Sequence, residues 1–282
     1  MSEAARELPE EATYHNRPDL RIVRDEERAP EPPKIITSAD IPRGDTPQPT
    51  TSPDTPRVEH EADFGRTIKG AEFARASASI RFDEPDTESK YGYFENRRII
   101  GHDTEILGGV YIGGGSREAI VVDDKSPLEK EVYDKAYVAV FEKAKQRMAR
   151  EGVEFKNGLL NDVYDVVRET LAYDDDYVDK MANDYRDKKI NLSVFLDAGK
   201  GVCRHQALLT GYLLERLARD GYVGGKVSVQ RNAIRGVGAH AWARYENQNG
   251  DIYVIDPTQG YIGRLEDAPE GTWLYGRPED QR

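Results

Sequence analysis

Residues 191–222 read NLSVFLDAGKGVCRHQALLTGYLLERLARDGY, and this stretch decides how the rest of the chain is read. Gly199 and Gly201 precede Cys203. Ala207, Leu208, Leu209, Leu213, Leu214, Leu217 and Ala218 follow at helical spacing, and Gly221 ends the run. The pattern predicts a glycine-bearing loop that delivers Cys203 to the first turn of a buried helix. A helix N-terminus has unpaired N–H groups and a partial positive charge, and both favour thiolate over thiol. The same N–H groups can hold an oxyanion, and glycines before the cysteine let a substrate backbone come close. The ordinary alternative is a structural core cysteine. This one stands beside Arg204 and His205 at the helix start, outside the leucine run.

Downstream, residues 226–260 read KVSVQRNAIRGVGAHAWARYENQNGDIYVIDPTQG. AHAWARYE alternates, with His240, Trp242, Arg244 and Glu246 on one face and Ala239, Ala241, Ala243 and Tyr245 on the other. Asn249-Gly250 signals a turn and DIYVID a second strand, so a hairpin is expected. A two-residue turn would set Ala243 opposite Asp256 and send Asp256 to the face away from His240. A three-residue loop, Gln248-Asn249-Gly250, sets Trp242 opposite Asp256 and makes His240 and Asp256 diagonal neighbours on one face, about 7–8 Å apart in backbone. The odd-length loop is the expectation. Taken singly, His240 reads as a half-buried hairpin histidine and Asp256 as a turn residue before Pro257. The ordered set of Cys at a helix start, His on a strand and Asp on the next strand points to a nucleophilic site.

Working toward the N-terminus, residues 159–171 carry a helical pattern on Leu159, Leu160, Val163, Val167 and Leu171. Asp174, Asp175 and Asp176 lack the alternating ligands and central glycine of a calcium loop and are expected to cap the next helix, which runs to about Asp187. Ser126-Pro127-Leu128-Glu129 has the form of a capping box with proline at the first helical position. Val132, Ala136, Val140, Ala144 and Met148 follow at a spacing of four, and Gly152 is the expected stop. Residues 61–125 read as a glycine-rich extension of short strands. Gly113, Gly114 and Gly115 lack the Gly-Lys-Ser/Thr ending of a phosphate loop and fit a hairpin turn. Residues 1–60 hold ten of the fifteen prolines and one aromatic, Tyr14, which is the composition of a disordered acidic tail.

Composition narrows the function. The 282 residues carry 40 Lys+Arg against 52 Asp+Glu, a formal net charge of −12. With no basic run, neither a nucleic-acid binder nor an anionic-membrane binder is expected. No apolar run approaches the roughly 20 residues of a membrane span, and MSEAARELPEEATYHNRPDL has no signal-peptide core. A single cysteine forms no intrachain disulfide, which fits a reducing, cytoplasmic setting; delivery as a secreted effector stays open. His15, His60 and His102 fall in no HExxH or CxxC spacing, so no metal and no cofactor are expected.

GVCRHQA, HAW and IDPT together resemble the three motif blocks of the transglutaminase-like superfamily, in order, over roughly residues 155–265. The resemblance implies an α+β papain-like core in residues 126–282, a cysteine-bearing helix packed on an antiparallel sheet that carries His and Asp. It implies Cys203 as nucleophile, His240 as base and Asp256 as the group fixing the histidine tautomer, acting on a protein or peptide substrate. The oxyanion would take the Cys203 backbone N–H, with Gly201, Val202, Lys200, Asn191 and Trp242 as further oxyanion or groove candidates and Gln206 as a helix support. Peptidase or amidohydrolase action comes first. Protein-glutamine crosslinking or deamidation is the second reading, and a non-catalytic binding module the third. His205 departs from the acid or other polar residue that many members carry there. Substrate and oligomeric state are not legible.

Overall fold

A computed structural model describes residues 58–59, 82–83, 85–113, 118–185, 188–234, 238–269 and 273–280. The tail expected over residues 1–60 lies outside them apart from Val58–Glu59 (β1), as do Gly114 and Gly115 of the expected glycine turn.

Short strands come first. β2 (Phe82–Asp83), β3 (Tyr93–Phe94) and β4 (Arg97–Arg98) form a small antiparallel sheet. β5 (Val110–Ile112) and β6 (Ala119–Val121) pair antiparallel with Ile112 opposite Ala119, the pairing a hairpin requires. Every residue of these two strands is buried, which a bare two-stranded ribbon could not achieve. The cover comes from the rest of the chain. Ile100, Ile106, Tyr111, Ile120 and Val122, all from the stretch that the sequence sets apart as an extension, lie in one cluster with Leu208 and Ala243.

Helix α1 (Pro127–Glu151) begins as its capping box requires, with Ser126 Oγ accepting from the Glu129 N–H at 3.3 Å. It ends on Gly152 in the left-handed region, φ 69°. Ala136, Val140 and Ala144 are buried, while Met148 is largely on the outside. Helix α2 (Leu159–Thr170) closes one residue earlier than its apolar pattern suggests, because Leu171 turns extended to enter β7 (Ala172–Tyr173). Asp174 caps helix α3 (Asp175–Asp184) by accepting from the Tyr177 N–H at 2.8 Å, the role expected of the acidic run. β8 (Lys189–Asn191) pairs in parallel with β6 and leads into helix α4 (Leu192–Ala198). β9 (Lys200–Gly201) pairs with β7, and helix α5 starts at Cys203 and runs to Arg219.

The main sheet closes the fold. β10 (Gly225–Ile234), β11 (Gly238–Asn247), β12 (Ile252–Asp256) and β13 (Tyr261–Arg264) form an antiparallel sheet in that order, with β1 on the outer edge of β10. Helix α5 packs on it, with Leu208, Leu209, Leu213, Leu214 and Leu217 in the cluster that also holds Val229, Ala241, Ala243, Tyr245 and Ile255. Each such leucine contributes roughly 1.5–3 kcal/mol by leaving water. α2 and α4 cover other sides of the same helix, so most of it is buried, polar Arg204, His205, Gln206 and Thr210 included. Five helices and several sheets define an α+β chain among the described residues, and no helix there is long and apolar enough to cross a membrane.

Candidate active site

Register decides whether His240 and Asp256 can meet. Ala243 pairs with Ile255, Tyr245 with Tyr253 and Glu246 with Ile252. The loop is therefore Gln248-Asn249-Gly250, the odd-length form expected, closed by the Asn247 N–H on the Asp251 carbonyl at 3.0 Å. Gly250 sits at φ 84°, which glycine adopts without strain. Continued one step, the register sets Trp242 opposite Asp256. His240 Nε2 and Asp256 Oδ2 then lie 2.6 Å apart, with Asp256 fully buried.

Cys203 is the first residue of α5 and is half-buried. Burial alone would push its thiol up. A hydrogen bond to His240, the charges of His240 and Arg204, and the Ala241 backbone N–H outweigh burial and bring it below the ordinary thiol value. Burial would likewise pull His240 down, but its hydrogen bonds to Asp256 and Cys203 hold it up at about 9. The two shifts describe one arrangement, in which each partner favours the charged form of the other. With Nε2 bound to Asp256, Nδ1 is the ring atom left for sulfur.

A second polar cluster lies beside Cys203, on Arg204 and His205. Arg204 Nε and Nη2 donate to Glu118 Oε1 and Oε2 at 2.7 and 3.1 Å. His205 Nε2 stands 3.3 Å from the same Oε1, and its Nδ1 accepts from the Val202 N–H at 3.1 Å. Burial pushes His205 down to about 4, so it is neutral at pH 7 with its proton on Nε2. Burial raises the Glu118 carboxyl, but the His205 and Arg204 contacts win and set it at about 2. Glu118 and His205 are fully buried, so the ring and carboxylate fix the first turn of α5 from inside.

The remaining candidates separate clearly. Val202 caps α5 with its N–H spent on His205, so the Cys203 N–H is the next donor outward and, at the first helical position, has no intrahelical acceptor. Gly201 has its own structural reason: a Cβ there would stand 2.8 Å from the His205 Cβ. Asn191 caps α4, accepting from the Ser193 N–H and Tyr133 hydroxyl and donating to the Asp123 carbonyl. Lys200 pairs with Asp174 at 2.7 Å. The polar atoms of both are thus engaged away from the cysteine. Trp242 is buried against Tyr275 and stacks near His240, with centroids 5.8 Å apart, so it backs the site and does not line a groove. Gln206 supports the helix as expected, donating to the Leu171 carbonyl at 2.8 Å and accepting from Thr258 at 2.6 Å.

Three side chains at the site, Tyr275, Trp273 and Glu118, carry no local sequence signal, and a fourth, Thr258, closes the IDPT block. Thr258 ties the end of β12 to α5. Tyr275 donates to Asp256 Oδ2 at 2.9 Å, and Trp273 lies on His240 with centroids 4.8 Å apart. Glu118 arrives from the start of β6. Only contacts across long sequence separations reveal them. The Tyr173 hydroxyl is raised first by burial and then by the charge of Cys203.

Among the described residues no group of three or more His, Cys, Asp or Glu could hold a metal. A surface groove of about 880 Å³ runs along α1 from Pro127 to Gln146, with Glu169 of α2 beside it, and is lined by none of the three site residues. Comparison with family models, curated proteins and solved structures returned no match.

Proposed function

We propose that this chain is a cysteine-nucleophile amide-bond enzyme, of peptidase or amidohydrolase type, built on a transglutaminase-like, papain-like core. One observation carries the reading: Cys203 at a helix start stands against His240, each shifting the titration of the other, and His240 is itself held 2.6 Å from the buried Asp256. A core histidine needs one partner; this one has a thiol on one side and a carboxylate on the other.

The chemistry follows from those atoms. His240 carries the proton taken from Cys203, and the thiolate attacks an amide carbonyl carbon. A C–S bond forms, and the carbonyl π pair moves to oxygen, where the Cys203 N–H and the helix N-terminus receive the charge. The tetrahedral species collapses, the C–N bond breaks, and His240 gives its proton to the departing nitrogen. A thioester remains. His240 then takes a proton from water, hydroxide adds to the thioester carbon, and the carboxylic acid leaves as the C–S bond breaks and the thiol is restored. Asp256 holds the ring orientation and balances the imidazolium throughout.

Reaction with p-nitrophenyl acetate tests this directly. The reading expects a stoichiometric burst of p-nitrophenol and one acetyl group on Cys203 by intact mass, removed by hydroxylamine and absent from Cys203→Ala. A protein that shows neither burst nor adduct between pH 6 and 9 is no acyl-transfer enzyme of this kind.

A further inference from the structure

The C-terminal residues 273–280 lie across the His240 face of the sheet, and their anchoring is specific. Asn232 is the register partner of His240 on β10, and its side-chain amide donates to the Leu274 carbonyl at 2.9 Å. Leu274 is thereby fixed beside the histidine, with Trp273 on one side of it in sequence and Tyr275 on the other. Trp273 lies on the imidazole, and the Tyr275 hydroxyl reaches the same Asp256 oxygen that takes His240. Further along, Arg277 donates to Asp103 and to Gln230, at 3.0 Å in each case, and Asp280 takes both Arg244 nitrogens at 2.7 and 2.8 Å. The Arg244–Asp280 pair, largely removed from water, and the Arg277–Asp103 pair, half-exposed at Asp103, both follow Tyr275, and together with the Asn232–Leu274 bond they hold the short stretch Leu274–Tyr275 in one place.

We infer that Tyr275 is a positioning residue of the Cys203–His240–Asp256 site, and that Trp273 and Tyr275 form a clasp that keeps the carboxylate aimed at His240. The inference rests on the acyl-transfer reading. Asp256 has two oxygens and a rotatable carboxyl. The Gln259 N–H takes Oδ1 at 3.1 Å and Tyr275 takes Oδ2, so between them they stop the rotation that would carry Oδ2 off Nε2. A phenol hydroxyl is the right group, because it donates without bringing a charge that would compete with the imidazolium. The Trp273 face adds attraction for the protonated ring and keeps water from the His240–Asp256 bond.

The test is the pH dependence of Cys203 alkylation by iodoacetamide in the full chain, on wild type, Tyr275→Phe and Trp273→Leu, with the His240 ring titrated by NMR on the same proteins. Tyr275→Phe is expected to lose about tenfold in rate at pH 6, the size of one buried hydrogen bond, and to move the His240 titration toward lower pH. Trp273→Leu, a change at a partly exposed ring that leaves the Tyr275 bond in place, is expected to shift the same titration in the same direction. A folded Tyr275→Phe protein with wild-type rate and wild-type His240 titration overturns the inference. Wild-type Cys203 that alkylates only as an ordinary thiol instead sinks the acyl-transfer reading beneath it, and the two failures are told apart by the wild-type curve alone.

Discussion

Arg204, the residue after Cys203, makes two hydrogen bonds to Glu118, a carboxylate 86 positions earlier in the chain and fully buried. The pair joins the strands of the glycine-rich stretch to the first turn of the helix that bears the cysteine. Removing one member of such a pair leaves an uncompensated charge in the core. Glu118→Ala is expected to cost about 3–5 kcal/mol in urea unfolding, whereas Glu118→Leu with Arg204→Met should cost far less. A Glu118→Ala loss below about 1 kcal/mol would show that water or a shifted Arg204 compensates.

Acid should weaken the fold in two steps. His205 is held at about 4 against an ordinary 6.5, so between these values the unfolded chain binds a proton that the folded chain refuses. Stability from this group is complete above 6.5 and falls as pH drops through 4. Glu118 repeats the behaviour between 4.5 and about 2. His240 has the opposite sign: its value is raised from 6.5 to about 9, so its contribution is complete below 6.5 and is lost as pH climbs through 9. Unfolding free energies from urea titrations should therefore rise with pH between 4 and 6.5, reflecting up to one proton at His205. His205→Gln should flatten that slope. Equal slopes in the two proteins would contradict a buried neutral His205.

The loop Gln248-Asn249-Gly250 sets which face Asp256 occupies. Deleting Gln248 leaves a two-residue turn, and a one-residue slip sends the side chain of Asp256 to the other face. The deletion should abolish alkylation of Cys203 below pH 7 without touching any of the three site residues. Retained low-pH alkylation would mean that the strand repairs its register with a bulge.

Asp256→Asn keeps the shape of the side chain and removes its charge. It can present its amide nitrogen to His240 and so favour the wrong tautomer. Turnover of an activated ester should drop by roughly 10²- to 10⁴-fold, and the His240 titration should fall from about 9 toward its ordinary 6.5. A loss under threefold would make Asp256 a structural residue.

The sequence made much of this legible because the decisive signals are local. Ser126, Gly152 and Asp174 announce helix ends through their own backbone chemistry. The alternation of residues 239–246 and the Asn-Gly turn together fix a register that a single hydrogen bond, His240 to Asp256, depends on. What stayed hidden is long-range. Nothing near Tyr275 or Trp273 in sequence marks them as partners of Asp256, 19 residues before Tyr275, and of His240, 33 before Trp273, and Glu118 sits beside small and β-branched residues that read only as a strand. Gly201 is legible as a close approach, and the His205 side chain is what stands against it. Lys200 and Asn191 looked available because sequence does not show that Asp174, Tyr133 and Asp123 already engage them.

The most direct test of the central claim is alkylation of Cys203 by iodoacetamide from pH 5 to 9, followed by intact mass on wild type and His240→Ala. An activated pair predicts wild-type labelling that is already fast near pH 6, well below the ordinary thiol value of about 8.5, and that His240→Ala pushes back toward 8.5. Labelling that rises only near pH 8.5 in both proteins would contradict the account.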